Sequence, residues 1–223
     1  MISIIIPTYN EEAATKAVLE NISLNKNIEV IVVDGGSPDN TIKIAGAYPV
    51  AIIKSEKNRA GQMNKGGESA QGEILLFLHA DCALEAGALE AAERAIAKGF
   101  IGGAFSQRIN SGKLIYRLIE SSGNLRAGIF KIFYGDQAVF VRKDIFLKLG
   151  GFDKVDLFED VLFSRKLKRQ GRLCLLNKRV FSSPRRWERQ GILKTTFINW
   201  LLGLGFILGF STVALKKFYY DLR

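Results

Sequence analysis

GEILLFLHADCALE (residues 72–85) carries an unbroken apolar run, 74–78, that ends in His79, the only histidine of the chain, and Asp81. An apolar run without polar alternation reads as a strand covered on both faces. Three similar runs precede it: SIIIP (3–7), IEVIVV (28–33) and VAII (50–53). Helical patterns separate them. Residues 11–24 follow Asn10 as a candidate N-cap, 39–47 follow the turn GGSP, 60–70 precede Gly72, and 85–98 stop at Gly99. Strand alternating with helix predicts an α/β fold built on a mostly parallel sheet covered by helices. In such sheets ligands bind beyond the carboxyl ends of the strands. That rule gathers Pro7-Thr8-Tyr9, Asp34-Gly35-Gly36, the segment after Ile53, and His79-Ala80-Asp81 around one crevice.

The second half is less regular. GGAFSQRI (102–109) and QAVFVR (137–142) read as strands around a helix at about 113–126, and a short helix then ends at a Gly-Gly stop. Residues 158–170 form a helix with Glu159 and Asp160 in its first turn, where the helix dipole stabilises carboxylates. The end of the chain differs in kind. From 197 to 210 nearly every residue is apolar, with Arg185, Arg186, Arg189 and Lys194 before it and Lys216 and Lys217 after. Extended to 192–215 the stretch approaches the length of a membrane span, about 20 apolar residues, but Lys194, Thr195, Thr196 and Asn199 interrupt its start. It reads as a helix docked at a membrane interface or a dimer contact, with a core helix and a true span as alternatives.

The 223 residues, 48% of them hydrophobic, suffice for one core and exclude a disordered chain. Cys82 and Cys174 form no CxxC pair, which points to a reducing compartment and away from structural zinc. The apolar run of MISIIIPTYN lacks a basic n-region and reads as a first strand, not a signal peptide. The net charge of +10 is uneven. Residues 1–110 hold 10 Lys/Arg against 13 Asp/Glu, and residues 111–223 hold 22 against 9. The basic half suits an anionic partner such as phosphates or a membrane surface. Charge alone would also allow a solvated basic face or nucleic acid; nucleic acid is not the expected partner.

Asp81 stands where one carboxylate and ligand phosphates together could hold Mg2+ or Mn2+. His79, two residues before it, could share that cation, contact a ribose or sugar, or simply close a surface loop. Asp34 could accept from a ribose or base edge, or cap its own turn. Arg59 and Lys65 are cations suited to phosphate. No GxGxxG follows the first strand and no GxxxxGK[ST] occurs, which disfavours dinucleotide and P-loop chemistry. Asp160, at a helix start, suits a general base, and Arg186-Trp187 offers a cation and a flat ring.

In this order, SIIIPTYNEE, VIVVDGGSPDNT, GEILLFLHADC, GGF, FEDVLFSRKLKRQG and RRW resemble the family-2 glycosyltransferases, and the likeness covers most of residues 1–190. RAGQMNKG, LFLHAD, GDQAVFVR and RRWERQGILKTTFINWLL are similar to a short subgroup associated with arsenosugar biosynthesis. The resemblance implies a glycosyltransferase-A fold: a Rossmann-like catalytic domain over 1–190, then a helical tail over 191–223. It also implies hexosyl transfer from a nucleotide-diphosphate sugar (UDP before GDP) with Mn2+ or Mg2+, by an inverting displacement. Asp81 would match the metal-binding aspartate, with His79 beside it as a second ligand or sugar contact. Pro7, Thr8, Tyr9, Glu11, Asp34 and Arg59 would line the nucleotide pocket. Glu159 and Asp160 would match the catalytic acidic pair, with Asp160 the base, and Arg186 and Trp187 would hold diphosphate and acceptor. Apart from the resemblance, the cysteines and the N-terminal strand point to the cytoplasm, and the apolar, basic-flanked C-terminal stretch points to the inner face of a membrane and a lipid-linked acceptor, with a soluble acceptor as the alternative.

Three positions depart from the family pattern. Gly35 follows Asp34 where a second acid is common, His79 replaces the first acid of DxD, and Ser183 stands where QxxRW has its glutamine. These departures keep open a nucleotide-sugar-binding protein without transfer. A nucleotidyltransferase is the other alternative.

Overall fold

The computed structural model describes residues 1–23, 27–155 and 157–221. Its first half follows the strand–helix alternation. Strands β1 (Ile2–Thr8), β2 (Ile28–Asp34), β3 (Ala51–Lys54) and β4 (Ile74–Phe77) alternate with helices α1 (Glu12–Ser23), α2 (Thr41–Ala45) and α3 (Arg59–Ser69). The expected end of the first helix, Leu24, lies outside the described residues. Asn10 is not its N-cap: Asn10 has φ 55°, and the carbonyl of Glu11 accepts the first helical bonds, from Ala14 and Thr15.

Two differences follow the opening stretch. After β4 the chain turns at His79–Asp81, where the Cys82 amide donates to the His79 carbonyl (3.1 Å), and enters a short strand, β5 (Cys82–Leu84). Helix α4 (Ala88–Ala97) therefore begins later than the sequence pattern indicates. Then come β6 (Gly102–Ile109), α5 (Leu114–Phe130), β7 (Val139–Arg142), α6 (Lys143–Lys148) and α7 (Glu159–Lys168). They are followed by a strand that the sequence pattern did not reveal, β8 (Leu173–Ser182), and by α8 (Arg185–Gln190).

The eight strands form one sheet in the order β3-β2-β1-β4-β7-β6-β8-β5. β1 to β4 pair in parallel, β7 runs antiparallel to both β4 and β6, and β8 pairs parallel with β6 and antiparallel with β5. Alternate residues of each strand serve opposite cores, because successive side chains point to opposite faces. Ile4, Ile6 and Leu76 pack with Val18 and Leu19 of α1 and Ala92 of α4. Ile5, Leu75 and Phe77 pack on the other face with Met63 of α3, Phe146 of α6 and Phe163 of α7. Two covered faces explain why these strands carry no polar alternation.

The apolar tail is not one long helix. α9 (Ile192–Ile207) ends before Gly209, whose φ of 90° glycine adopts without strain, and α10 (Thr212–Asp221) turns back. Sixteen residues reach only ~24 Å, short of a ~30 Å hydrocarbon core. No described helix is long and apolar enough to cross a membrane. Ile198, Leu202 and Leu215 instead form a third small core with Leu157 and Phe158 at the start of α7.

Candidate active site

The carboxyl ends of β1 and β4, the start of α7 and helix α8 enclose two adjoining cavities. The larger, about 690 Å³, is lined by Pro7, Thr8, Tyr9, Glu11, Lys57, Gln62, Glu159, Arg185, Arg189 and Lys216. The smaller, about 390 Å³, is lined by Tyr134, Gly135, Asp136, Phe158, Asp160, Ser182, Trp187, Asn199 and Leu202. Arg59, His79, Asp81, Arg186 and Tyr219 belong to both walls and mark the junction. The turn that ends β4 thus presents its histidine and its carboxylate where the two spaces meet.

Charge is distributed unequally between them. Lys57, Arg59, Arg185, Arg186, Arg189 and Lys216 surround the larger cavity, a concentration of cations that favours a polyanion. Lys57 Nζ sits 3.8 Å from the centre of the Tyr9 ring, and Arg185 donates to Glu11 (2.9 Å) while approaching Asp81 at 3.8 Å. Arg59 is ion-paired to the buried Glu159, which faces the larger cavity and fixes the guanidinium at the junction. Arg186 donates to Asn199 (2.9 Å), tying α8 to α9.

Asp160 faces the smaller cavity. Its two oxygens accept from the amides of Gly135 (2.6 Å) and Val161 (2.7 Å). Burial, reinforced by the neighbouring Glu159 charge, pushes its pKa up to about 6. A carboxylate so tuned remains ionised at neutral pH yet is basic enough to take a proton from a hydroxyl. Burial pushes the His79 pKa down to about 3, with the Arg59 charge adding to the effect. The imidazole is therefore neutral, with a lone pair available to a ligand. Burial raises the Cys82 thiol well above its ordinary range, so this neighbour of Asp81 is not a thiolate nucleophile.

Gly135 is required by close approach. A Cβ there would lie 2.6 Å from His79 Nε2 and 2.8 Å from Cε1. Gly135→Ala is expected to displace the imidazole and to lower stability by about 1–3 kcal/mol, as overpacking does. Urea denaturation checks this; an unchanged midpoint would show that the histidine moves freely.

Asp34 is placed differently from the sequence expectation. It is buried, its Oδ1 accepts from Thr8 (3.1 Å) and Ser37 Oγ (2.5 Å), and its Oδ2 accepts from the amides of Gly36 and Ser37 (2.8 Å each). The carboxylate is committed to its own turn and lines neither cavity. Pro7, Thr8, Tyr9, Glu11, Arg59, His79, Asp81, Glu159, Asp160, Arg186 and Trp187 all line one cavity or both, whereas Lys65 lines neither and donates to the Lys54 carbonyl (2.6 Å).

Asp136 is a site residue that sequence reasoning missed. Gln107 donates to its Oδ2 (2.6 Å), while Oδ1 is sealed from solvent without a hydrogen-bond partner. Burial raises its carboxyl pKa. Trp187 Nε1, on the wall of the same cavity, also lacks a partner. Both residues line the smaller cavity, while these two atoms themselves are sealed from it. The only signal in the sequence was a Gly-Asp-Gln turn just before a strand.

Among the described residues no group of three His, Cys, Asp or Glu side chains could hold a metal by itself. One accessible carboxylate, Asp81, and one neutral imidazole, His79, nevertheless fit a hard cation whose remaining ligands are phosphate and water.

Comparisons with known proteins agree with this architecture. A mycobacterial PGL/p-HBAD biosynthesis glycosyltransferase (Mycobacterium tuberculosis) is 34% identical over 170 residues, covering 69% of this chain. The chain spans 63% of that relative's length. A dolichol-phosphate mannosyltransferase of Pyrococcus furiosus is 29% identical over 140 residues, 57% of this chain and 40% of its own. Among solved structures, S. aureus TarS 1–349 in complex with UDP superposes with a TM-score of 0.67 at 20% identity, over 89% of this chain and 65% of that one. The mannosyltransferase from Pyrobaculum calidifontis, in complex with GDP-Man and Mn2+, superposes at 0.64 with 25% identity, over 81% and 56%. The fold is that of the glycosyltransferase-A enzymes. Residues 3–150 match Glycosyl transferase family 2, and with two thirds of its length so matched the chain belongs to that family.

Proposed function

We propose that this chain transfers a sugar from a nucleotide-diphosphate donor to an acceptor hydroxyl in one inverting displacement. The observation that carries this reading is the junction. A cation-lined cleft meets a second cavity at Asp81, His79, Arg59 and Arg186, and Asp160 faces only the second. The donor occupies the larger cleft with its base towards Tyr9 and Glu11. Its diphosphate lies among Arg59, Arg185 and Arg186. A UDP-sugar is the favoured donor and a GDP-sugar the alternative, which the similarity to a GDP-Man-bound mannosyltransferase keeps in view.

Asp81, with the neutral nitrogen of His79, would hold Mn2+ or Mg2+. That ion, when bound, supplies positive charge against the departing diphosphate. Arg59, fixed by Glu159, and Arg186, fixed by Asn199, stabilise the same charge from the protein side. In the smaller cavity Asp160 takes the proton of the acceptor hydroxyl, which attacks the anomeric carbon from the face opposite the diphosphate. Asp136 and Trp187 wall the same acceptor space. In this division residues 1–190 carry the base and most of donor binding, while the tail walls the acceptor side through Asn199 and Leu202 and adds Lys216 to the donor cleft. A lipid-linked acceptor fits that apolar wall, as does the likeness to a dolichol-phosphate mannosyltransferase.

The pH profile tests the base. A group raised to about 6 is competent only when ionised, so transfer is expected to be level above pH ~7 and to fall roughly tenfold per unit below ~6. A rate independent of pH between ~5 and ~8 would remove Asp160 from that role.

A further inference from the structure

The exposed large apolar side chains of this chain are not scattered. Many lie on two helices that flank the smaller cavity. On α5, Leu114 (82% exposed), Leu118 (73%), Leu125 and Ile129 form one stripe, opposite the buried Tyr116, Glu120 and Ala127. On α9, Leu193, Phe197 (66%), Trp200 (67%), Leu204 and Ile207 form a second. Helical spacing puts each set on one side of its helix. Scattered exposed leucines need no explanation, whereas contiguous apolar stripes on a charged protein mark an interaction surface.

The two stripes are joined through the cavity wall. Tyr116 of α5 meets Trp187 edge to face at 5.9 Å. Arg126 of α5 stacks on Tyr134 at 3.7 Å, and a Cβ at Gly203 of α9 would lie 3.8 Å from the hydroxyl of that tyrosine. Tyr134, Trp187, Asn199 and Leu202 all line the smaller cavity, so α5 supports two residues of its wall and α9 supplies two more.

The charge around these stripes is predominantly positive. Residues 111–135 hold Lys113, Arg117, Arg126 and Lys131, and their single acid, Glu120, is buried and ion-paired to Arg117 at 3.0 Å. Residues 189–221 contain Arg189, Lys194, Lys216 and Lys217 against one acid, Asp221. Apolar and aromatic side chains framed by Lys and Arg match an anionic lipid surface, with apolar groups entering the acyl boundary and cations at the headgroups. A second copy is a poorer match, since each chain carries +10 and the bases of these helices outnumber their acids.

We propose that α5 and the α9–α10 hairpin together form a two-limbed surface that docks on an anionic phospholipid bilayer. Docking turns the opening of the smaller cavity towards the headgroups, so that the acceptor is drawn from the membrane. This last step rests on the glycosyl-transfer reading; the docking itself does not.

The test is co-sedimentation of the purified chain with vesicles of phosphatidylcholine containing about one third phosphatidylglycerol, against phosphatidylcholine alone. Wild type is expected to bind the anionic vesicles and to be released by salt. Leu118→Glu with Leu125→Glu, and separately Trp200→Glu, are each expected to lower partitioning at least tenfold while nucleotide binding and circular dichroism stay unchanged. Leu118→Gln with Leu125→Gln serves if the glutamates impair folding. Absence of wild-type binding overturns the proposal, as does binding that the α5 substitutions leave intact. So does a wild-type dimer that the same substitutions convert to monomer without any vesicle binding. Sedimentation requires no transfer, so these outcomes leave the nucleotide-binding reading to its own tests.

Discussion

Asp160→Asn is expected to lower transfer by roughly 10²–10⁴-fold, the ordinary contribution of a positioned general base, while leaving nucleotide affinity within about twofold. The substitution keeps the side chain's size. Its oxygen can still accept from one of the two amides, Gly135 or Val161, that hold the carboxylate. The loss should therefore fall on the chemical step and not on the architecture. Single-turnover transfer together with nucleotide titration separates the two. Undiminished transfer would mean that another group takes the proton; Asp136, on the same cavity wall, would be the next candidate. A loss of nucleotide affinity equal to the loss of rate would instead show that Asp160 supports the donor cleft.

Asp81→Ala is expected to have the second largest effect, on binding as well as turnover. Among the described residues Asp81 is the one carboxylate at the junction that is not committed to a close ion pair or to backbone amides; Arg185 stands at 3.8 Å. Removing it should abolish the part of nucleotide affinity that depends on Mn2+, a tenfold or greater rise in Kd, which corresponds to about 1.4 kcal/mol or more. The metal-independent part, supplied by Arg59, Arg185 and Arg186, should persist. Calorimetric titration with UDP and with GDP, each with and without Mn2+, reads both parts. Equal metal dependence in wild type and variant would move the cation away from Asp81.

The parts of the fold legible in the sequence are those in which one physical cause dominates. β1, β2 and β4 are buried on both faces, so their apolar runs stand out, and the polar residues that end β1 and β4 fall where the sheet meets the cavities. β8 was not legible because its pattern breaks at Asn177-Lys178, where its pairing with β6 slips between Phe105 and Ser106. Those two polar residues read as a loop, although the strand continues through them. β5 has only three residues and lies directly behind the His79 turn, too short to show a period.

The site divides in the same way. His79, Asp81, Arg59 and Asp160 sit at the ends of elements whose positions the sequence predicts, and the fold brings them together. Asp34 stands at such an end too, but Gly36 and Ser37 supply close-by donors that occupy its carboxylate. Sequence position alone cannot decide between a ligand and a local turn as the partner of an acid. Asp136 becomes visible only when β6 brings Gln107 against it, a contact spanning 29 residues. The tail's period was equally ambiguous. Gly209 decides it, breaking what would have been a long helix into a hairpin.

The central claim is spatial, that donor and acceptor occupy two cavities joined at Asp81, and a crystal structure of the chain with UDP and Mn2+ tests it most directly. The account predicts the nucleotide in the larger cleft, its uracil near Tyr9 and its diphosphate between Asp81 and Arg186, with the smaller cavity free beside Asp160. A nucleotide seated in the smaller cavity, or a diphosphate remote from Asp81, would contradict it.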